Sequence, residues 1–150
     1  MVKQKRPPKK TVVGWREWVG MPDLDIRAMK AKLDTGALSA ALHAEEIEVF
    51  EEETVKRVRF KVLPRQKSAR GAKVYTADVI DERVVRSSSG HEELRPVIYT
   101  RVSLGLYTWT IEVTLTNRDS MGFRLLLGRD SLRRRFLIDP GQSYLFGDQE

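Results

Sequence analysis

Apolar and polar residues alternate with period two along most of this chain, and apolar residues at helical spacing are sustained almost nowhere. Successive side chains of an extended strand point to opposite faces, so the alternation describes strands with one buried face. Met29, Ala31 and Leu33 share a face opposite Lys30 and Lys32, and Val58, Phe60 and Val62 alternate with Arg57, Arg59 and Lys61. The clearest case is Trp109, Ile111, Val113 and Leu115 against Thr108, Thr110, Glu112 and Thr114, with Thr116, Asn117, Arg118 and Asp119 supplying a turn. A last strand is expected over Ser143, Tyr144, Leu145 and Phe146. Glu51, Glu52 and Glu53 separate two strand-like runs, and residues 64–73, PRQKSARGAK, have the composition of a loop. One helix is predicted after Gly128: Asp130 or Ser131 caps it, Leu132 and Phe136 stand at i,i+4, and Pro140 with Gly141 stops it. It would be short, about two turns.

The chain has 150 residues, 41% of them hydrophobic, which suits one buried core and leaves no room for two catalytic lobes. There is no cysteine, which excludes disulfide scaffolds, thiolate zinc sites, iron–sulfur clusters and cysteine nucleophiles and fits a cytoplasmic address. No apolar run approaches the roughly 18 residues of a membrane span, and no apolar stretch of signal-peptide length follows the basic start. Neither export nor membrane insertion is expected. Of the net charge of +6, five units lie on Lys3, Lys5, Arg6, Lys9 and Lys10, and the remainder is 22 basic against 21 acidic residues. Residues 1–11 therefore read as a basic, disordered, solubilising tail and residues 12–150 as a single domain. Nucleic-acid binding, if any, is expected only through that tail.

Several familiar chemistries fail at a named residue. His91-Glu92 begins a zinc-protease pattern, but Arg95 stands where H-E-x-x-H requires its second histidine. His43-Ala44-Glu45 opens a zinc-deaminase signature whose P-C-x-x-C half a cysteine-free chain cannot supply. Walker, G-x-G-x-x-G and G-x-S-x-G motifs are absent, so neither metal nor cofactor is expected. What remains is Lys32-Leu33-Asp34-Thr35-Gly36-Ala37, a carboxylate at the end of an alternating strand followed by a hydroxyl and a glycine. Gly36 permits a close turn whose amide is free for the carboxylate, Thr35 can brace the loop, and Ala37 keeps the approach open. Alone, Asp-Thr-Gly also describes an ordinary turn.

A second element changes its meaning: Leu125-Leu126-Leu127-Gly128-Arg129-Asp130 is an apolar strand running into Gly-Arg-Asp. In this order the two segments resemble the retropepsin-like aspartic proteases, which also carry a glycine-tipped flap hairpin between them. The candidate flap is Arg83-Val84-Val85-Arg86-Ser87-Ser88-Ser89-Gly90, returning through Arg95-Pro96-Val97-Ile98. More closely, A-K-L-D-T-G-A-L-S-A-A-L-H-A, V-R-S-S-S-G-H and L-L-L-G-R-D resemble a bacterial family customarily labelled ATP-dependent zinc protease and often associated with a glutamate ligase that modifies a ribosomal protein. The likeness covers about residues 12–147. It implies a mostly β, retropepsin-like closed barrel with one short C-terminal helix, and neither half of the family's label has sequence support here. Viral members pair the Arg of Gly-Arg with an acidic residue; that position is Leu38 here, so Arg129 is expected to use Asp130 or a main-chain carbonyl. The hairpin of residues 47–63 lies outside the minimal fold.

The resemblance implies an aspartic-type peptidase, or a related peptide-amide hydrolase, with Asp34, Thr35 and Gly36 as its catalytic loop and Gly128, Arg129 and Asp130 as structural support. That chemistry needs two carboxylates sharing one proton, and a chain with one D-T-G can supply them only as a homodimer. Such a pair titrates as a unit in two separated steps. Ala37, Arg83, Arg86, Ser87, Ser88, Ser89, Gly90 and Arg95 are the expected substrate contacts, and guanidinium groups around the flap suit acidic or glutamate-rich peptides. The same arginines also read as solvated strand residues offset by Glu82, Glu92 and Glu93, with Asp78 and Asp81 at turns or edges. His43 reads as a surface or core-edge histidine or as a hydrogen-bond donor near the cleft, Trp109 as core, and Trp15 and Trp18 as core or dimer interface. The competing function is a non-catalytic protease-fold module that binds an acidic tail or regulates a glutamate ligase.

Overall fold

The computed structural model describes residues 10–65, 70–86, 89–117 and 122–147. The basic tail, apart from its last residues, lies outside them. Ten strands follow one another: β1 (Thr11–Met21), β2 (Ile26–Leu33), β3 (Ala40–Glu52), β4 (Val55–Val62), β5 (Lys73–Asp78), β6 (Asp81–Arg86), β7 (Glu92–Leu104), β8 (Tyr107–Thr116), β9 (Leu125–Leu127) and β10 (Phe136–Ser143). A 3-10 turn, Pro22–Leu24, joins β1 to β2, and a four-residue helix, α1 (Arg129–Leu132), follows β9. The protein is mostly β, as the alternation predicts.

The strands run β10-β1-β2-β9-β3-β8-β7-β6, and a further pairing of Gly20 with Ser103 joins β1 to β7. Six strands thereby close into a ring, with β10 and the β6 hairpin as appendages. The triple leucine of β9 sits between β2, which it parallels, and β3, which it opposes. Covered on both faces, a central strand wants a continuous apolar run, and Leu125, Leu126 and Leu127 are all buried. Strand β3 is longer than the ring needs. From Ala44 onward it pairs with β4, which in turn pairs with β5, and the register of that pairing slips between Glu45 and Glu48, with Glu46 at φ 52°. The expected hairpin is thus a three-stranded extension, and Val58, Phe60 and Val62 on its inner face join the main core.

Met29, Ala31 and Leu33 are buried, as are Trp109, Ile111, Val113 and Leu115, in the registers that the alternation predicts. The last elements differ from expectation. The helix ends after Leu132 because Arg133 is already extended and Arg134 takes a left-handed φ of 70°. Phe136 is the first residue of β10, paired with Thr11, and its ring packs on those of Trp109 and Tyr107. Leu132 and Phe136 reach one core from two elements, and their i,i+4 spacing imitates a longer helix. Pro140 and Gly141 lie inside β10, which tolerates a missing N–H because it is an edge strand. The final strand therefore closes at Ser143 instead of beginning there.

Candidate active site

Strand β2 delivers Asp34 at its C-terminal end, where the Asp34 amide donates to the carbonyl of Leu127 at 2.9 Å. The loop then folds back on itself. Gly36 N–H donates to Asp34 Oδ1 at 2.8 Å and Ala37 N–H to the Asp34 carbonyl at 3.3 Å. A carboxylate that accepts from its own loop is held in one orientation, and Asp34 keeps about a third of its side chain exposed. An added Cβ at Gly36 would stand 3.0 Å from Asp34 Oδ1, so the glycine is what lets the amide approach.

The Gly-Arg-Asp segment locks this loop from behind. Arg129 N–H donates to the Ala37 carbonyl at 2.8 Å and Asp130 N–H to that of Leu38 at 2.9 Å. A side chain at Gly128 would strike the Ser39 carbonyl oxygen at 2.5 Å, so only glycine lets the two segments pass at this distance. The Arg129 guanidinium donates to the Thr35 carbonyl at 2.8 Å. Of the two partners open to Arg129, the main-chain carbonyl is used, while Asp130 pairs with Arg133 at 3.3 Å. Leu38 points outward and is half exposed. Two interlocked loops, one bearing the carboxylate and one the glycine-arginine brace, join the ends of β2 and β9.

This interlock agrees with a profile described as retropepsin-like aspartic endopeptidase RimB, which matches residues 12–149. The chain belongs to this RimB-like family. A crystal structure of a protein of unknown function from Legionella pneumophila superposes with a TM-score of 0.75 at 29% identity, covering 92% of this chain and 99% of that one. Curated relatives named probable alpha-L-glutamate ligase are 41% identical over 140 residues in Shewanella halifaxensis and 40% identical over 139 residues in Desulfotalea psychrophila. Each match covers 93% of this chain, yet the chain spans less than a third of the length of those relatives.

In this RimB-like chain Asp34 borders a hollow of about 660 Å³, walled by Trp15, Leu33, Leu132 and Phe136. Cations surround it. Lys32 Nζ lies 4.0 Å from Asp34 Oδ2, and Lys10, Arg129, Arg133 and Arg134 also line the hollow, where Asp34 is the sole carboxylate among the described residues. Sequence reasoning missed Lys32 and Arg134. The signal for Lys32 was present, since two residues before Asp34 on a strand is the same face; for Arg134 there was none.

The flap candidate forms the hairpin β6–β7, in which Arg83 faces Arg95 and Arg86 faces Glu92. Ser87 and Ser88 lie outside the described residues, while Ser89 and Gly90, the latter at φ 87°, occupy the turn. The three flap arginines are each paired. Arg83 donates to Glu112 at 2.6 Å and to Asp81 at 2.9 Å, bonds that hold its guanidinium above its ordinary pKa with Glu112 the larger cause. Arg86 donates to Glu92 at 2.7 Å, and buried Arg95 donates to Glu93 at 3.3 Å. None of the three lines the hollow beside Asp34. Asp78 ends β5 and Asp81 begins β6.

His43 is buried on β3, its Nε2 3.4 Å from Glu45 Oε2, and it too does not line the hollow. Trp109 is core, donating from Nε1 to the Ser131 carbonyl, whereas Trp15 and Trp18 are half-buried. The zinc in the family's customary label finds no fitting donor set: among the described residues no three His, Cys, Asp or Glu side chains stand together. Among the described residues no helix is long and apolar enough to cross a membrane.

Proposed function

We propose that this chain is an aspartic peptidase, or a related peptide-amide hydrolase, that works as a homodimer with one Asp34 from each copy. The observation that carries the reading is the orientation of Asp34: a partly exposed carboxylate held by the Gly36 amide, on a loop that Arg129 braces. One such carboxylate cannot both activate water and donate to the scissile carbonyl. Two that share a proton can. The ionised member takes a proton from water as the oxygen attacks the carbonyl carbon, and the protonated member donates to the carbonyl oxygen. The tetrahedral intermediate collapses as the carboxyl that gained the proton passes it to the leaving nitrogen. The C–N bond breaks, and the dyad returns to one shared proton.

The cations around Asp34 favour acidic or glutamate-rich peptides, since a substrate carboxylate there would gain charge-assisted hydrogen bonds. Glutamate-ligase relatives fit this substrate class, because ligation would supply glutamyl peptides and hydrolysis would shorten them. The same relatives favour a second reading, in which the domain binds acidic tails for a ligase without cleaving them. Both are tested by incubating wild type and Asp34→Asn with a glutamate-rich peptide and following the products by mass spectrometry and binding by calorimetry. Cleavage by wild type, with binding but no cleavage by Asp34→Asn, supports the peptidase. Binding by both without cleavage supports the module.

A further inference from the structure

The face that carries Asp34 is electrostatically unsuited to meeting its own copy. Among the described residues, five cations line the hollow against one carboxylate. Arg133 is answered by Asp130, but Arg129 is committed to a neutral carbonyl and has no acidic partner among the described residues. Lys32 has only Asp34 nearby, and Lys10 and Arg134 have no acidic partner among the described residues. Arg134 also sits at φ 70°, a conformation disfavoured for a side chain of its size, at the rim of the hollow. When two Asp34 carboxylates share one proton they carry a single negative charge. In one chain Lys32 stands 4.0 Å from Asp34 Oδ2 and Arg129 is bonded to the carbonyl of the next residue, so two copies meeting here would bring four cations to that one charge.

Resting on the two-chain reading above, we infer that dimerisation through this face is coupled to an anion, and that an acidic peptide lying across both Asp34 residues supplies the missing negative charge. Substrate and second copy then bind cooperatively, each lowering the cost of the other. A copy without an acidic ligand stays largely apart, and its lone carboxylate is inert. Activity is thereby confined to acidic chains by assembly as well as by contact. Neutral peptides would neither fill the cationic hollow nor bring the two carboxylates together.

Sedimentation equilibrium of the full chain tests this at about 20 and about 300 mM sodium chloride, and with a hexaglutamate or a hexalysine peptide at matched ionic strength. Salt should tighten self-association about tenfold, hexaglutamate a further tenfold or more, and hexalysine not at all. Lys32→Gln and Arg134→Asn should each associate more tightly than wild type without peptide and respond less to hexaglutamate; asparagine accepts the left-handed backbone. Dimerisation that ignores salt and peptide, or variants that behave as wild type, would overturn the coupling while leaving the two-chain peptidase intact. A strict monomer under every condition would overturn both.

Discussion

The Arg129 guanidinium reaches across the site to the Thr35 carbonyl at 2.8 Å, so the first residue of α1 holds the loop that β2 presents. The bond joins positions separated by 94 residues in the chain and makes the orientation of Asp34 depend on a segment that does not touch its carboxylate. Arg129→Lys keeps the charge but loses the planar fork. It should cost about 1–2 kcal/mol in urea unfolding, and kcat should fall more than KM rises, because positioning is lost more than binding.

Gly128→Ala tests the close crossing behind the site. Alanine ordinarily stabilises by restricting the unfolded chain, but here its methyl would meet the Ser39 carbonyl oxygen at 2.5 Å and the Ala37 carbonyl oxygen at 2.9 Å. Both are backbone atoms and can yield only by separating the two interlocked loops. The expected outcome is a loss of about 1–3 kcal/mol by urea denaturation, with faster amide exchange at Arg129 and Asp130.

Glu17 is fully buried in β1, and its Oε2 accepts from the amides of Gly14 at 2.7 Å and Leu145 at 3.1 Å. One carboxylate oxygen thus ties Gly14, where the register of β1 against β10 slips, to the segment after β10. Glu17→Ala leaves the buried Gly14 N–H and the part-buried Leu145 N–H without their partner and should cost about 1–3 kcal/mol, read as a lowered urea midpoint. Glu17→Gln retains one acceptor oxygen and should cost less than half as much.

Asp23 accepts from the side chain and the backbone amide of Arg101, and these bonds hold its carboxyl below the ordinary value, the side-chain bond first. The folded pKa lies below the unfolded one, so the unfolded chain binds the proton first as pH falls. The stabilisation is complete above the unfolded value of about 4 and disappears as pH drops through the folded value. Since the pair is largely exposed, its contribution is small and salt-sensitive. Asp23→Asn should melt slightly below wild type at neutral pH, with the two curves converging as pH falls through the folded value and in high salt.

The period-two pattern was enough to establish a mostly β chain, because a strand with one wet face needs alternation and nothing distant can change that requirement. The buried sets in β2, β4 and β8 follow from it directly. Asp34, Gly36, Gly128 and Arg129 were legible as well, since a carboxylate on a tight turn and a glycine at a crossing are local demands on residue type. Tertiary structure decided the rest. Leu132 and Phe136 spell a longer helix until the ring brings Thr11 beside Phe136 and makes it a strand. The apolar parity of β3 shifts from Leu42 and Ala44 to Ile47 and Val49 across Glu45 and Glu46, but that this defect is a bulge within the pairing of β3 with β4, just beyond the last ring pair at His43, is visible only in the fold. Whether a flap arginine is free or paired depends on Glu112, on a strand 29 residues away from Arg83. The cationic surroundings of Asp34 are likewise assembled from β2, α1 and the residues flanking β1 and β10, and no local pattern records charges that only folding brings within a screening length.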